Sequence, residues 1–180
     1  MNKKVLVIST SPRKCGNSEI LADEFIKGAQ ESGHKIEKVN LYDKNIGFCK
    51  GCLACQKTQH CVIEDDANLI IQKMLVADVI VFATPIYFYE MSGQMKTLLD
   101  RTNPLYTSDY AFRDIYLLAT SADYEENAMD GAVKGMQGWI SCFERSNLKG
   151  VVKGVGSDSI GSIKNNEKIL LSAYEMGRNI

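Results

Sequence analysis

Three stretches of this chain are apolar without interruption: Val5 to Ile8, Val79 to Ala83 and Ile115 to Ala119. A strand with one solvated face alternates apolar and polar residues. A strand that is apolar at every position is buried on both faces, which happens in a parallel sheet covered by helices on both sides. Amphipathic helical patterns separate these runs, near 17–32, 65–76, 93–101, 128–145 and 164–178. Two further candidate strands, Ile36 to Leu41 and Gly150 to Gly156, carry polar residues and suit the edges of the sheet. Numbered along the chain, strands one, three and four are then central and strands two and five are peripheral. This is the order 2-1-3-4-5 of an α/β, flavodoxin-like three-layer sandwich with a five-stranded parallel sheet. Right-handed crossovers place its helices on both faces. No repeat, low-complexity tract or linker breaks the pattern, so residues 1–180 are expected to form a single domain.

Sheets of this kind bind ligands beyond the carboxyl ends of their strands, where the strand order reverses. Strands one and three flank that point, so the loops after strands one, three and four are expected to build the site. The first of these loops is the most informative. Ser9-Thr-Ser-Pro-Arg-Lys-Cys-Gly-Asn-Ser18 joins strand one to a helix whose apolar face carries Leu21, Ala22, Phe25, Ile26 and Ala29. The first amides of a helix have no internal partner, and the helix dipole favours negative charge there. A plain N-cap needs one polar residue. Here Ser9, Thr10, Ser11, Asn17 and Ser18 supply five side-chain donors, and Arg13 and Lys14 supply two cations. The loop reads as a phosphate cradle.

Several phosphate chemistries are excluded. A Walker loop needs a lysine before its Ser/Thr, and Gly16-Asn17-Ser18 has none there; a Rossmann fingerprint needs three spaced glycines, and only Gly16 is present. A cysteine phosphatase needs an arginine closing the loop after its nucleophile, and none follows Cys15. What remains is a loop that wraps a terminal monophosphate with amides and hydroxyls and needs no metal, which suits the end of an FMN. The loop after strand three, Thr84-Pro-Ile-Tyr-Phe-Tyr-Glu-Met-Ser-Gly93, offers three aromatics and Met91 as a wall for a flat ring, with Ser92 as a helix N-cap. The alternative for these aromatics is a surface loop or a subunit contact.

The second strong pattern is Cys49-x2-Cys52-x2-Cys55-x5-Cys61. Two consecutive two-residue gaps crowd three thiols into a small volume, as iron–sulfur clusters require. Structural zinc usually takes two separated pairs of ligands. The last gap is longer than in the ferredoxin run, and the segment also reads as a thiol loop without iron, as a reversible Cys55–Cys61 pair or as buried apolar residues. Asp65 and Asp66 are expected as the cap and first-turn acid of the next helix. Cys142, beside Trp139 and Phe143, reads as core or interface.

These motifs resemble the NADPH-dependent FMN reductase-like family, and within it the iron–sulfur flavoprotein branch. The resemblance rests on Ser-Pro-Arg-x-x-Gly-Asn-Ser after strand one, on Thr-Pro-Ile-Tyr-Phe with Ser-Gly-Gln-Met-Lys after strand three, and on the cysteine segment between them. Gly161-Ser-Ile-Lys and Ala173-Tyr-Glu-Met-Gly177 extend it almost to the end of the chain. It implies FMN as cofactor, with the phosphate held by Ser11, Arg13, Asn17 and Ser18 in a loop that begins at Ser9 and turns at Gly16. Pro85, Ile86, Tyr87, Phe88, Ser92 and Gly93 would line the ring and ribityl chain. Thr120, Ser121 and Ala122 would close the far side. Cys49, Cys52, Cys55 and Cys61 would be the ligands if a [4Fe–4S] cluster is present. The implied activity is electron transfer from NAD(P)H through FMN to a quinone, flavin, nitro compound or iron–sulfur partner. The alternative is a carrier between proteins that does not use NAD(P)H. A homodimer or homotetramer is expected from the same resemblance, with Tyr106, Tyr110 and Phe112 as a candidate partner surface.

Composition narrows the remaining classes. With 21 basic and 22 acidic residues the net charge is −1, which argues against a nucleic-acid partner. No apolar run approaches the length of a membrane span. The opening Met-Asn-Lys-Lys and its short apolar run read as the start of strand one rather than an export signal, and cysteines crowded into one segment fit a reducing cytoplasm. Only two histidines are present, and no Ser-His-Asp set, paired carboxylate site or HExxH motif appears.

Overall fold

The computed structural model describes residues 2–180. In chain order its elements are β1 (Lys4–Ser9), α1 (Asn17–Glu31), β2 (Lys35–Asn40), α2 (Cys55–Thr58), α3 (Asp66–Val76), β3 (Val79–Tyr87), β4 (Glu90–Met91), α4 (Gly93–Arg101), α5 (Asn103–Tyr106), β5 (Asp114–Thr120), α6 (Asp130–Ile140), β6 (Asn147–Gly154) and α7 (Glu167–Arg178). Single 3-10 turns lie at Leu41–Asp43, Glu126–Met129 and Ser162–Asn165.

The uninterrupted apolar runs have the expected physical cause. In β1, Val5 and Val7 face one core while Leu6 and Ile8 face the other. In β3, Val79, Val81 and Ala83 point to the first side, and Ile80 and Phe82 to the second. β5 divides Tyr116 and Leu118 from Ile115 and Leu117 in the same way. One core is closed by α1 and α7, the other by α3, α4 and α6. Helices α1 and α7 touch backbone to backbone: a methyl group on Gly28 would lie 2.0 Å from the Tyr174 carbonyl oxygen, and one on Gly177 would lie 2.0 Å from that of Phe25.

The parallel strands run in the order β2-β1-β3-β5-β6, which is 2-1-3-4-5 when the short β4 is set aside. The flavodoxin-like topology is therefore present, with a sixth strand not foreseen from sequence. Glu90 and Met91 fold back antiparallel on Tyr87 and Ile86. The turn between them holds Phe88 at φ 50° and Tyr89 at φ 64°, a left-handed conformation that bulky residues rarely adopt. Helix α6 ends at Ile140 rather than 145, and β6 begins at Asn147 rather than 150, with a register shift opposite Ile115 and Tyr116.

The aromatics before β5 are mostly interior. Tyr110 and Phe112 stack at 4.5 Å between ring centres and pack against Phe143, and Phe112 and Phe143 also pack against Trp139. Only Tyr106 of the expected partner surface is exposed, while Cys142 lies at the surface rather than in the core. No helix among the described residues is long and apolar enough to cross a membrane.

Candidate functional site

The carboxyl ends of β1, β3, β5 and β6 open onto one cleft. Ser11, Arg13, Gly16, Asn17 and Ser18 form its floor; Pro85, Ile86 and Tyr87 form one wall; Thr120 and Ala122 form the other. Three loops spread over more than 100 residues of sequence thus meet where the topology puts a ligand site. A third wall, Ser157, Asp158 and Ile160 after β6, was not read from the sequence. The signal available there was a glycine-rich run, Gly154 to Gly161, following an edge strand.

The head of α1 is built to receive an anion. The amides of Gly16, Asn17, Ser18 and Glu19 donate to no partner among the described residues, as expected for the first turn of a helix. The hydroxyls of Ser9 and Ser18 are fully buried and have no partner either. Buried hydroxyls are normally satisfied, so the two orphans at this end of α1 mark a place where an acceptor is missing. Gly16 leaves no room for a side chain: a methyl group there would lie 2.5 Å from Ser11 Oγ and 3.2 Å from the Arg13 carbonyl oxygen.

Other residues shape the loop. Ser11 Oγ donates to the Arg13 carbonyl at 2.8 Å and accepts from the Arg13 amide at 3.1 Å, closing a tight turn. Glu19 Oε2 accepts from the Cys15 amide at 2.7 Å, and its charge is matched by Lys38 Nζ, 3.0 Å from Oε1. Burial opposes the Lys38 charge, but hydrogen bonds to Asp23 and Glu19 outweigh it and hold its pKa above the ordinary lysine value. The acidic group under the cradle is thereby neutralised.

Not every expected residue faces the cleft. Phe88 projects from the tip of the β3–β4 turn and is fully exposed, because its left-handed backbone turns it away from Pro85 and Ile86. Ser92 is buried in a hydroxyl network. Its Oγ lies 3.0 Å from Thr10 Oγ1 and 3.3 Å from Thr84 Oγ1, and it caps α4 by accepting from the Met95 amide. Gly93 borders a different hollow, with Leu41, Ile46, Phe48 and Gln94. Ser121 is buried beside the cleft, where its Oγ accepts from the Asp123 amide. The Asn17 side chain turns to the loop after β6 and is already hydrogen-bonded there.

A profile of the NADPH-dependent FMN reductase family matches residues 3–152. The chain belongs to that family. An iron–sulfur flavoprotein of Methanosarcina thermophila is 31% identical over 138 residues, covering 76% of this chain and 72% of that protein. An iron–sulfur flavoprotein of Methanocaldococcus jannaschii is 41% identical over 102 residues, covering 57% of this chain. The match spans about half of that relative's length, 53%. In fold, the NAD(P)H:quinone oxidoreductase of Methanothermobacter marburgensis superposes with a TM-score of 0.77 over 99% of this chain and 96% of the other, at 19% identity. The family membership makes this chain a flavoprotein of the FMN type. The cleft fits that cofactor on its own terms, since an anion at the head of α1 would meet unpartnered first-turn amides, the orphaned Ser18 hydroxyl and a glycine that allows close approach.

The cysteine segment is a loop clamped at its base. Arg101 is wholly buried. It donates to both carboxylate oxygens of Asp65, at 2.6 and 3.0 Å, and to the carbonyls of Gly47 and Ile63. Asp65 caps α3 as expected and accepts from the Gly47 amide as well. Within the loop, Cys49 and Cys52 are exposed, and Cys55 and Cys61 are buried. Among the described residues no three His, Cys, Asp or Glu side chains are gathered so as to hold a metal ion. The thiols supply the donor chemistry of an iron–sulfur cluster but not, in this arrangement, its geometry.

Proposed function

We propose that this chain is an FMN-dependent NAD(P)H oxidoreductase, a single domain over residues 1–180 that passes electrons to a quinone, flavin, nitro compound or iron–sulfur protein. The observation that carries the reading is the head of α1, with its unpartnered amides, the orphaned Ser9 and Ser18 hydroxyls and the crowded Gly16. The first-turn amides of α1 and Arg13 would hold the FMN phosphate there, where the helix dipole and the free N–H groups both favour it. Pro85, Ile86 and Tyr87 form an apolar wall for the ring, and Thr120 and Ala122 bound the opposite side. Bound FMN supplies the hydride and single-electron chemistry; the protein supplies binding, orientation and electrostatics.

The test is anaerobic titration of the FMN-loaded protein with NADPH and with NADH, followed by visible absorbance. Bleaching of the flavin by either nucleotide is expected. A second reading, a carrier of electrons between proteins, is compatible with the iron–sulfur flavoprotein names of the matched relatives. Flavin that is retained but bleached only by a reduced protein or by dithionite would favour that carrier.

A further inference from the structure

Resting on the FMN reading, we infer that Asn17 is a positioning residue that latches the loop after β6 over the flavin site, and that its side chain does not bind the phosphate. Asn17 stands at the first position of α1, where a phosphate ligand would be expected. Its side-chain amide is already committed. Nδ2 donates to the Ser159 carbonyl at 2.8 Å and to the Ser157 carbonyl at 3.1 Å, and lies 3.4 Å from Ser162 Oγ. Oδ1 accepts from the Ile163 amide at 3.3 Å. An asparagine side chain has two donor hydrogens and one acceptor oxygen; both hydrogens and the oxygen are thus directed at one loop about 140 residues away. What Asn17 can still offer the phosphate is its backbone amide, which is free.

The held segment has the form of a strap. Gly156 at φ 64° and Gly161 at φ 78° stand at either end of it, in the left-handed conformation that glycine adopts without strain. Between them Ser157, Asp158 and Ile160 face the cleft and make its third wall. Ser157 is also tied to the loop after β5, its amide donating to the Ser121 carbonyl at 2.7 Å. The Asn17 amide group supplies the side-chain hydrogen bonds that join the strap to the helix carrying the cradle, and Ile163, buried in the core under α1, anchors the end of the held segment by packing. Cutting the latch should therefore loosen a whole wall of the site, with equal effect on any ligand that fills the cleft, whether or not it has a phosphate.

The experiment measures dissociation constants of FMN and riboflavin for the wild-type chain, for Asn17→Ala and for Asn17→Ser, a residue well tolerated in the first turn of a helix. Amide hydrogen exchange across 157–163 is followed on the same flavin-free proteins. The latch predicts that both constants rise together by about tenfold, the net worth of one or two hydrogen bonds. The FMN-to-riboflavin ratio stays at the wild-type value, and exchange in 157–163 speeds up. Arg13→Ala serves as the contrast and should weaken FMN while sparing riboflavin. A ratio that collapses in the Asn17 variants would make Asn17 a phosphate ligand and overturn the inference. Unchanged constants with unchanged exchange would overturn it too. A wild-type chain that binds neither flavin would sink the FMN reading instead, and the exchange data alone would then decide the latch.

Discussion

The hydroxyls of Thr10 and Ser92 lie 3.0 Å apart, both fully buried, and join the phosphate loop to the start of α4. Ser92 Oγ also approaches the Thr10 carbonyl at 3.3 Å, and Thr84 Oγ1 accepts from the Ser92 amide at 3.1 Å. Two of the loops that shape the cleft are therefore braced by one network of three hydroxyls, 82 residues apart in sequence between Thr10 and Ser92. Thr10→Val and Ser92→Ala should each lower stability by about 1–2 kcal/mol, for a buried hydrogen bond and, at Ser92, a helix cap. In urea unfolding the double variant should lose clearly less than the two losses added together, because the pair shares its partners. Simple additivity would contradict the brace.

Gly16 tests the cradle from the side of space. A methyl group meets the Arg13 carbonyl at 3.2 Å, and that backbone atom moves only with the loop. Gly16 has φ −68°, so alanine brings no backbone strain of its own. Gly16→Ala should weaken FMN by about tenfold or more, around 1.4 kcal/mol, and because the methyl also meets Ser11 Oγ at 2.5 Å the urea midpoint should fall as well. Equal affinity in variant and wild type would show that the loop is not drawn tightly around a ligand.

The Arg101–Asp65 pair holds the base of the cysteine loop. Removing one partner of a buried pair leaves an uncompensated charge, and Arg101→Met should cost about 3–5 kcal/mol. The pair also fixes a pH dependence. Burial alone would raise the Asp65 pKa, but hydrogen bonds from Arg101 and from the Gly47 and Ala67 amides prevail and hold it below the usual carboxylate range. A group with a lowered folded pKa contributes stability that is fully present above its unfolded pKa, near 3.9 for aspartate. That contribution is lost as the pH falls through the folded value. Stability measured from pH 6 downward should therefore fall less steeply below about pH 4 for Asp65→Asn than for the wild type. Parallel curves would contradict the assignment.

The thiols of the loop should differ in reactivity. Cys49 and Cys52 are exposed, whereas Cys55 is buried and its thiol pKa is pushed up by that burial and by the neighbouring Cys61, Cys52 and Cys49. Only the thiolate reacts. In reduced, metal-free protein at pH 8, brief alkylation read by mass spectrometry should label Cys49 and Cys52 first and Cys55 late. Early labelling of Cys55 would show that the loop opens readily.

The sheet order and the place of the site were legible because they depend on local signals. Val5–Ile8, Val79–Ala83 and Ile115–Ala119 are apolar on both faces because each strand feeds both cores, and the strand order followed from that. The polar cluster at Ser9–Ser18 likewise carries its own signal. What was not legible depends on contacts distant in sequence. Asn17 reads as a phosphate ligand until the loop around Ser157–Ile163 arrives beside it. Ser92 reads as a ring contact until Thr10 and Thr84 take its hydroxyl. The β3–β4 turn was missed because Phe88 and Tyr89 hold a conformation that sequence normally signals with Gly or Asn, and that turn carries Phe88 away from the cleft.

The central claim is that the head of α1 holds the phosphate of a flavin, and the equilibrium binding of FMN and riboflavin to the wild-type chain tests it most directly. Free amides and Arg13 around a phosphate should favour FMN by at least about a hundredfold, some 2.7 kcal/mol, since hydrogen bonds to a charged group contribute about 1.5–3 kcal/mol each. Equal affinity for the two flavins, or no affinity for either, would contradict it.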